Sequence, residues 1–173
     1  DRGDKWTVLY FYPGGRAYTR GRGASTTGLS CTLEARCFQR DLPDYRKLNA
    51  QIVGVSVNDS PQRIARFSEE EKLEFCLLSD KGGIVSKQYG ASFLPNVPGF
   101  ATYSPRQTYI IDNTPNTQLG SGGGGGGELR WIFTNVEPKI ARHSSEVLAK
   151  LTELEEKTTT TTATPSPVST AIV

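Results

Sequence analysis

Thr26-Thr27-Gly28-Leu29-Ser30-Cys31-Thr32-Leu33-Glu34-Ala35-Arg36-Cys37-Phe38 decides the fold. Small residues run into a cysteine, and a helical pattern begins at that point. From about Thr32 to Leu48, the residues Ala35, Phe38, Leu42 and Tyr45 recur at spacings of three and four, and Cys31 falls on the same face. The first turn of a helix carries unpaired N–H groups and positive partial charge. A thiol placed there is expected to ionise readily, and the thiolate is the reactive form. Upstream, Trp6-Thr7-Val8-Leu9-Tyr10-Phe11-Tyr12-Pro13 reads as a buried parallel strand. Strand, loop, cysteine and helix in that order suit thiol-redox chemistry.

Working outward, the elements alternate. Gln51 to Val57 is a second buried strand, and Ser60-Pro61 supplies an N-cap and a proline at the first helical position. The helix that follows turns Ile64 and Phe67 inward. A third strand is expected from Glu74 to Leu78, then a short helix around Ile84 to Tyr89. Gln107 to Asp112 and Glu128 to Thr134 read as a hairpin. Ser144 or Ser145 is expected to cap a last helix with Val147, Leu151 and Leu154 facing in. This order predicts an α/β chain with one mixed sheet flanked by helices, a thioredoxin-like fold.

The chain has 173 residues, enough for one domain with a real core, expected over 1–157. Two insertions interrupt it, at about 14–30 and 113–127; the second ends in six consecutive glycines, Gly122 to Gly127. The threonine-rich stretch 158–173 is too poor in apolar residues to pack and is expected to be disordered. A formal net charge of +2 gives no case for a nucleic-acid or membrane surface. The single stretch Arg20-Gly21-Arg22-Gly23 is too short a signal to change that. No apolar run reaches the roughly 18 residues of a membrane span. A targeting segment would have to lie upstream of Asp1. Three cysteines do not form a disulfide framework and fit a reducing, intracellular compartment. With His143 the only histidine, a zinc site lacks ligands, so neither a metal nor a cofactor is expected. His143 reads as a surface residue, Trp131 as core, and Cys76, in the run Phe75-Cys76-Leu77-Leu78, as core.

Several ordered blocks resemble the peroxiredoxins of the peroxiredoxin Q (bacterioferritin comigratory protein) type. They are Tyr10-Phe11-Tyr12-Pro13, Cys31-Thr32-Leu33-Glu34-Ala35, Val53-Gly54-Val55-Ser56, Leu77-Leu78-Ser79-Asp80, Pro105 to Asp112 and Arg130-Trp131-Ile132-Phe133. The resemblance implies a thiol peroxidase that reduces hydrogen peroxide and alkyl hydroperoxides. Cys31 would be the peroxidatic cysteine, and Arg106 would pair with its thiolate. Glu34 would orient Arg106, the Thr27 hydroxyl would contact the thiolate, and Pro13 would shield the site. The sulfenic acid formed would condense with a second thiol. The implied reductant is thioredoxin or a similar dithiol, the implied state monomeric, and the implied location a plastid.

The chain departs from the family pattern in three places. Pro13 lies eighteen residues before Cys31 rather than seven, and Gly28 stands where the family has its threonine. Five residues after Cys31, where the family's resolving cysteine is found, stands Arg36, and Cys37 follows it. The family's N-terminal hairpin does not precede Asp1, so the chain reads as a fragment. Six residues of helix separate two positions by about 9 Å, beyond the roughly 7 Å Cα limit of a disulfide. A Cys31–Cys37 bond therefore requires local unwinding, and Cys37 stays open between a resolving and a packing role. The alternative reading of the chain is a catalytically impaired thioredoxin-fold binding module.

Overall fold

A computed structural model describes residues 3–14, 27–57, 59–80, 82–91, 105–114 and 127–162. Most of both insertions and the tail beyond 162 lie outside them, as do the Arg20–Gly23 stretch and the Thr27 side chain. Among the described residues, five strands form one sheet: β1 (Trp6–Tyr12), β2 (Ala50–Ser56), β3 (Cys76–Ser79), β4 (Gln107–Asp112) and β5 (Glu128–Phe133). Their order is β3-β2-β1-β4-β5. β1 pairs parallel with β2 and antiparallel with β4, β3 runs parallel to β2, and β5 closes the hairpin with β4. The mixed sheet and its flanking helices are the thioredoxin-like arrangement expected.

β1 is central because both its faces are apolar. Alternation sends Trp6, Val8, Tyr10 and Tyr12 to one face. They meet Cys31, Ala35, Phe38, Leu42 and Tyr45 of helix α1 (Thr27–Lys47) and Val147, Leu151 and Leu154 of helix α4 (Ile140–Thr162). Leu9 and Phe11 go to the other face, with Val55, Tyr109 and Ala91. A Cβ at Gly54 would stand 2.7 Å from the Tyr10 ring and 2.6 Å from Leu77, so only glycine lets that ring lie across β2. The start of β1 is tied to α4 by Glu155 Oε2, which accepts from Trp6 Nε1 at 2.7 Å and Lys5 Nζ at 2.6 Å.

α1 begins at Thr27, a turn earlier than expected, and contains Pro43. Beyond Lys47 the chain turns at Asn49, held at φ 53°, a conformation asparagine tolerates. Helix α2 (Pro61–Glu70) starts as predicted, with the Ser60 hydroxyl accepting from the Arg63 N–H and with Ile64 and Phe67 buried. Helix α3 (Ile84–Gln88) follows Asp80, whose carboxylate accepts from Val85 and Ser86.

Four local expectations are corrected. β3 spans Cys76–Ser79 and forms a sheet edge, so Cys76 is exposed rather than core. A single 3-10 turn (Glu137–Lys139) leads into α4, so neither Ser144 nor Ser145 caps it; the Ser144 carbonyl instead accepts from Tyr45 Oη at 2.7 Å. His143 is buried, edge-on to Phe38 and Phe133, with Nε2 2.7 Å from Thr108 Oγ1. Trp131 is 43% exposed on the edge strand β5, with the Lys150 ammonium 3.8 Å from its ring centroid. α4 itself runs through Thr162, into the stretch expected to be disordered.

Candidate active site

Strand register builds the site. Gln107 pairs with Phe11, so Arg106, just ahead of β4, arrives beside the C-terminal end of β1. Arg106 shares the parity of Thr108 and Ile110, which places it on the α1 face. Cys31 and Glu34, three residues apart on one helix face, come down on it from above. Arg106 Nη2 donates to Cys31 Sγ at 3.0 Å, and Nη1 donates to Glu34 Oε2. Arg106 and Glu34 are each 1% exposed and Cys31 is 2% exposed. The backbone N–H of Gly14, just past the buried Pro13, is a second donor to Sγ.

The electrostatics differ from the expectation of an easily ionised thiol. Burial pushes Cys31 above its ordinary value, and Glu34 pushes the same way. The charge and hydrogen bond of Arg106, and the Gly14 amide, pull it down without overcoming burial. The reason is structural. Because α1 starts at Thr27, Cys31 sits past the first turn and its unpaired N–H groups. The guanidinium is also shared with Glu34, so a thiolate adds net negative charge to a closed pocket. Burial thus favours the thiol, while two donors already converge on the sulfur and favour the thiolate.

Of the sequence candidates, Cys31, Glu34 and Arg106 come together. Thr27 lies on α1, but its side chain is outside the described residues. Cys37 is buried 6% exposed against α4, its Sγ donating to the Ala141 carbonyl at 3.6 Å, and burial pushes its thiol up. Cys31 faces the sheet and Cys37 faces α4, so the two sulfurs do not meet across the intact helix. Arg36 is on the outer surface, ion-paired with Glu71 at 2.6 Å. Sequence reasoning missed the Gly14 amide, because a backbone donor leaves no residue-type signal. Among the described residues no group of His, Cys, Asp and Glu could hold a metal ion, and no helix is long and apolar enough to cross a membrane.

A mixed five-stranded sheet carrying one buried cysteine on an arginine, rather than a Cys-x-x-Cys pair, defines a thioredoxin-like protein of the peroxiredoxin class. Comparison with known proteins gives the family: the chain belongs to the AhpC/TSA family, which matches residues 1–117. It is 36% identical to chloroplastic peroxiredoxin Q of Triticum aestivum over 147 residues, covering 83% of this chain and 53% of that protein. It is likewise 36% identical to chloroplastic peroxiredoxin Q of Arabidopsis thaliana over 114 residues, covering 65% of this chain and 44% of that one. The chain spans about half the length of these curated relatives. In fold it is similar to the bacterioferritin comigratory protein of Xanthomonas campestris, with a TM-score of 0.65 at 23% identity over 88% of this chain and 82% of that one.

Proposed function

We propose that the chain is a thiol peroxidase in which Cys31 reduces hydrogen peroxide and alkyl hydroperoxides. The observation that carries this is the buried Arg106 guanidinium, 3.0 Å from Sγ and held on its other side by Glu34. Attack on an O–O bond needs a thiolate and fixed donors for the oxygen that departs. Arg106 and Gly14 supply two. Sulfur takes one oxygen and becomes a sulfenic acid, the other oxygen leaves as alcohol or water, and a second thiol condenses with the sulfenic acid to a disulfide. Cys37 serves as that second thiol when the start of α1 unwinds, and thioredoxin or a similar dithiol then reduces the bond. The chloroplastic relatives and the alkyl peroxide reduction activity of the X. campestris protein support this reading. Monomeric state and a plastid location belong to the same proposal.

One observation favours a second reading, a binding module without peroxidase activity: Cys31 is closed from solvent and its thiol is pushed up. Peroxide consumption with thioredoxin and its reductase, comparing the parent with Cys31→Ser, separates the two. Turnover that disappears in Cys31→Ser supports the peroxidase; no turnover and no single oxidation of Cys31 by peroxide supports the binding module.

A further inference from the structure

Pairing between β1 and β4 stops at Phe11 and Gln107, so Arg106 stands one residue beyond the ladder and Gln107 is the paired residue next to it. Gln107 is held in a second way. Its side chain and that of Tyr109 lie on the face of β4 away from Arg106, and Tyr109 Oη is 2.5 Å from Gln107 Oε1. The same hydroxyl is 2.6 Å from the carbonyl oxygen of Tyr89, the C-cap of α3. The Tyr109 ring is fixed as well. It is buried and stands edge-on to Phe11 at 5.7 Å and to Tyr89 at 5.3 Å. Phe11 and Tyr89 are 5.5 Å apart, so three rings close a triangle over the strand pair that ends at Arg106. A phenylalanine would complete that triangle equally well. What the hydroxyl adds is a tie between α3 and the neighbour of Arg106. Thr108, one residue further on, is tied elsewhere: its Oγ1 is 2.7 Å from His143 Nε2 of α4, on the other face.

We propose that Tyr109 is a positioning residue for Arg106, its hydroxyl bracing Gln107 against α3 so that the guanidinium stays on Cys31 and Glu34. The inference rests on Cys31 being the peroxidatic thiol and Arg106 its partner. The tolerance is narrow. Arg106 Nη2 reaches Sγ at 3.0 Å while Nη1 is on Glu34, so a shift toward one contact loosens the other. Groups that act at a reacting centre have to be held to within about 0.5 Å by the packing and hydrogen bonds behind them, and a misplacement of about 1 Å already costs rate. Tyr109 lies on the opposite face from the sulfur and moves no proton; it acts through Gln107. Gln107 is half-buried and Tyr89 is exposed, so water can take over both bonds when the hydroxyl is removed, and the fold survives the change.

The test follows two quantities in the full chain. The pH profile of Cys31 alkylation, followed by peptide mapping, reads the charge of Arg106 at the sulfur without any peroxide; single-turnover oxidation by hydrogen peroxide reads the reaction. Tyr109→Phe is expected to move the alkylation profile to higher pH, in the direction of Arg106→Ala but less far. It is expected to slow oxidation about threefold or more, part of the loss that follows removal of a whole donor. Gln107→Met keeps the bond from Tyr109 to Tyr89 and is expected to act like Tyr109→Phe. In an Arg106→Ala background Tyr109→Phe is expected to have no further effect, because two changes on one path do not add. Glu155→Ala, destabilised at the far end of β1, is the control and is expected to keep the parent profile and rate. A parent profile and rate in Tyr109→Phe overturns the inference. So does a loss that persists in the Arg106→Ala background or appears in Glu155→Ala, either of which assigns the effect to general loosening. Parent behaviour in Gln107→Met overturns it too, by placing the effect at α3. No oxidation of the parent, with the alkylation shift present, overturns the peroxidatic reading and supports the positioning of Arg106.

Discussion

Glu34 and Cys31 end on different nitrogens of one guanidinium, Arg106 Nη1 and Nη2, so each negative charge weakens the hold of Arg106 on the other. Glu34 raises the Cys31 thiol and Arg106 lowers it. Reactivity of Cys31 toward an alkylating agent should therefore rise with pH as the thiolate forms. Glu34→Gln should move that rise to lower pH, and Arg106→Ala should move it to higher pH. A shift of Glu34→Gln in the alkaline direction would mean that its positioning of Arg106 outweighs its charge.

On the proposed reading, Arg106 acts on the peroxide as well as on the thiol, which the titration does not report. Arg106→Ala should slow peroxide oxidation by about tenfold or more even at a pH where Cys31 is ionised. Arg106→Lys should not restore the parent rate, because an ammonium cannot reach the sulfur and Glu34 at once with a rigid fork. Stopped-flow oxidation at alkaline pH measures both.

Cys31 should be the only thiol needed for the first oxidation. Single-turnover consumption of peroxide should vanish in Cys31→Ser and persist in Cys37→Ser and Cys76→Ser. The disulfide is a separate matter. A Cys31–Cys37 bond requires α1 to open, so oxidised protein should show faster amide exchange between Cys31 and Phe38 and a loss of helicity. Cys76, exposed on the sheet edge, is free to form adducts between chains. Peptide mapping under non-reducing conditions decides: a Cys31–Cys76 link, or only intermolecular species, would remove Cys37 from the cycle.

Alkaline conditions should destabilise the fold. Cys31, Tyr10, Tyr12 and Tyr45 all have folded values raised, with burial the first cause in each. In the unfolded chain these groups release their protons at ordinary values, near 8.5 for the thiol and about 10 for the phenols. Stability is therefore intact below about pH 8 and falls as pH rises through that range. Urea midpoints between neutral pH and about pH 10.5 measure the loss. A flat profile would mean that the buried groups are hydrated in the folded state.

Glu155 tests the far end of the core. It accepts from both Lys5 and the buried Trp6. Glu155→Ala should lower stability by about 1–3 kcal/mol, chiefly through the orphaned indole N–H. The measurement is the denaturant midpoint, with peroxide reactivity unchanged.

The elements legible in the sequence are those with a local signature. β4 lies at Gln107–Asp112 as read, and the α1 face of Ala35, Phe38, Leu42 and Tyr45 packs as its spacing implied. What failed depends on neighbours that local pattern does not contain. Phe75-Cys76-Leu77-Leu78 reads as buried, yet β3 is an edge strand, so Cys76 and Leu78 point to solvent. His143 reads as polar surface, yet Thr108 and two aromatic rings receive it in the core. At the site, the fold brings together Cys31, Glu34 and Arg106, the residues that the resemblance to the peroxiredoxin Q blocks singled out. The Gly14 amide was not, and the upward shift of the thiol was not, because both follow from where α1 starts and how tightly the pocket closes.

Pro43 gives α1 a seam. It has no N–H to return to the carbonyl four residues back, so the ladder is already broken between the length that carries Cys31 and Cys37 and the length that Tyr45 fastens to α4. Melting that starts at Thr27 and stops at this break leaves the Tyr45 fastening in place. The helix therefore works like a flap with a fixed hem. A bond between Cys31 and Cys37 would need only the first portion of α1 to come apart, and would leave the Tyr45 contact with α4 in place.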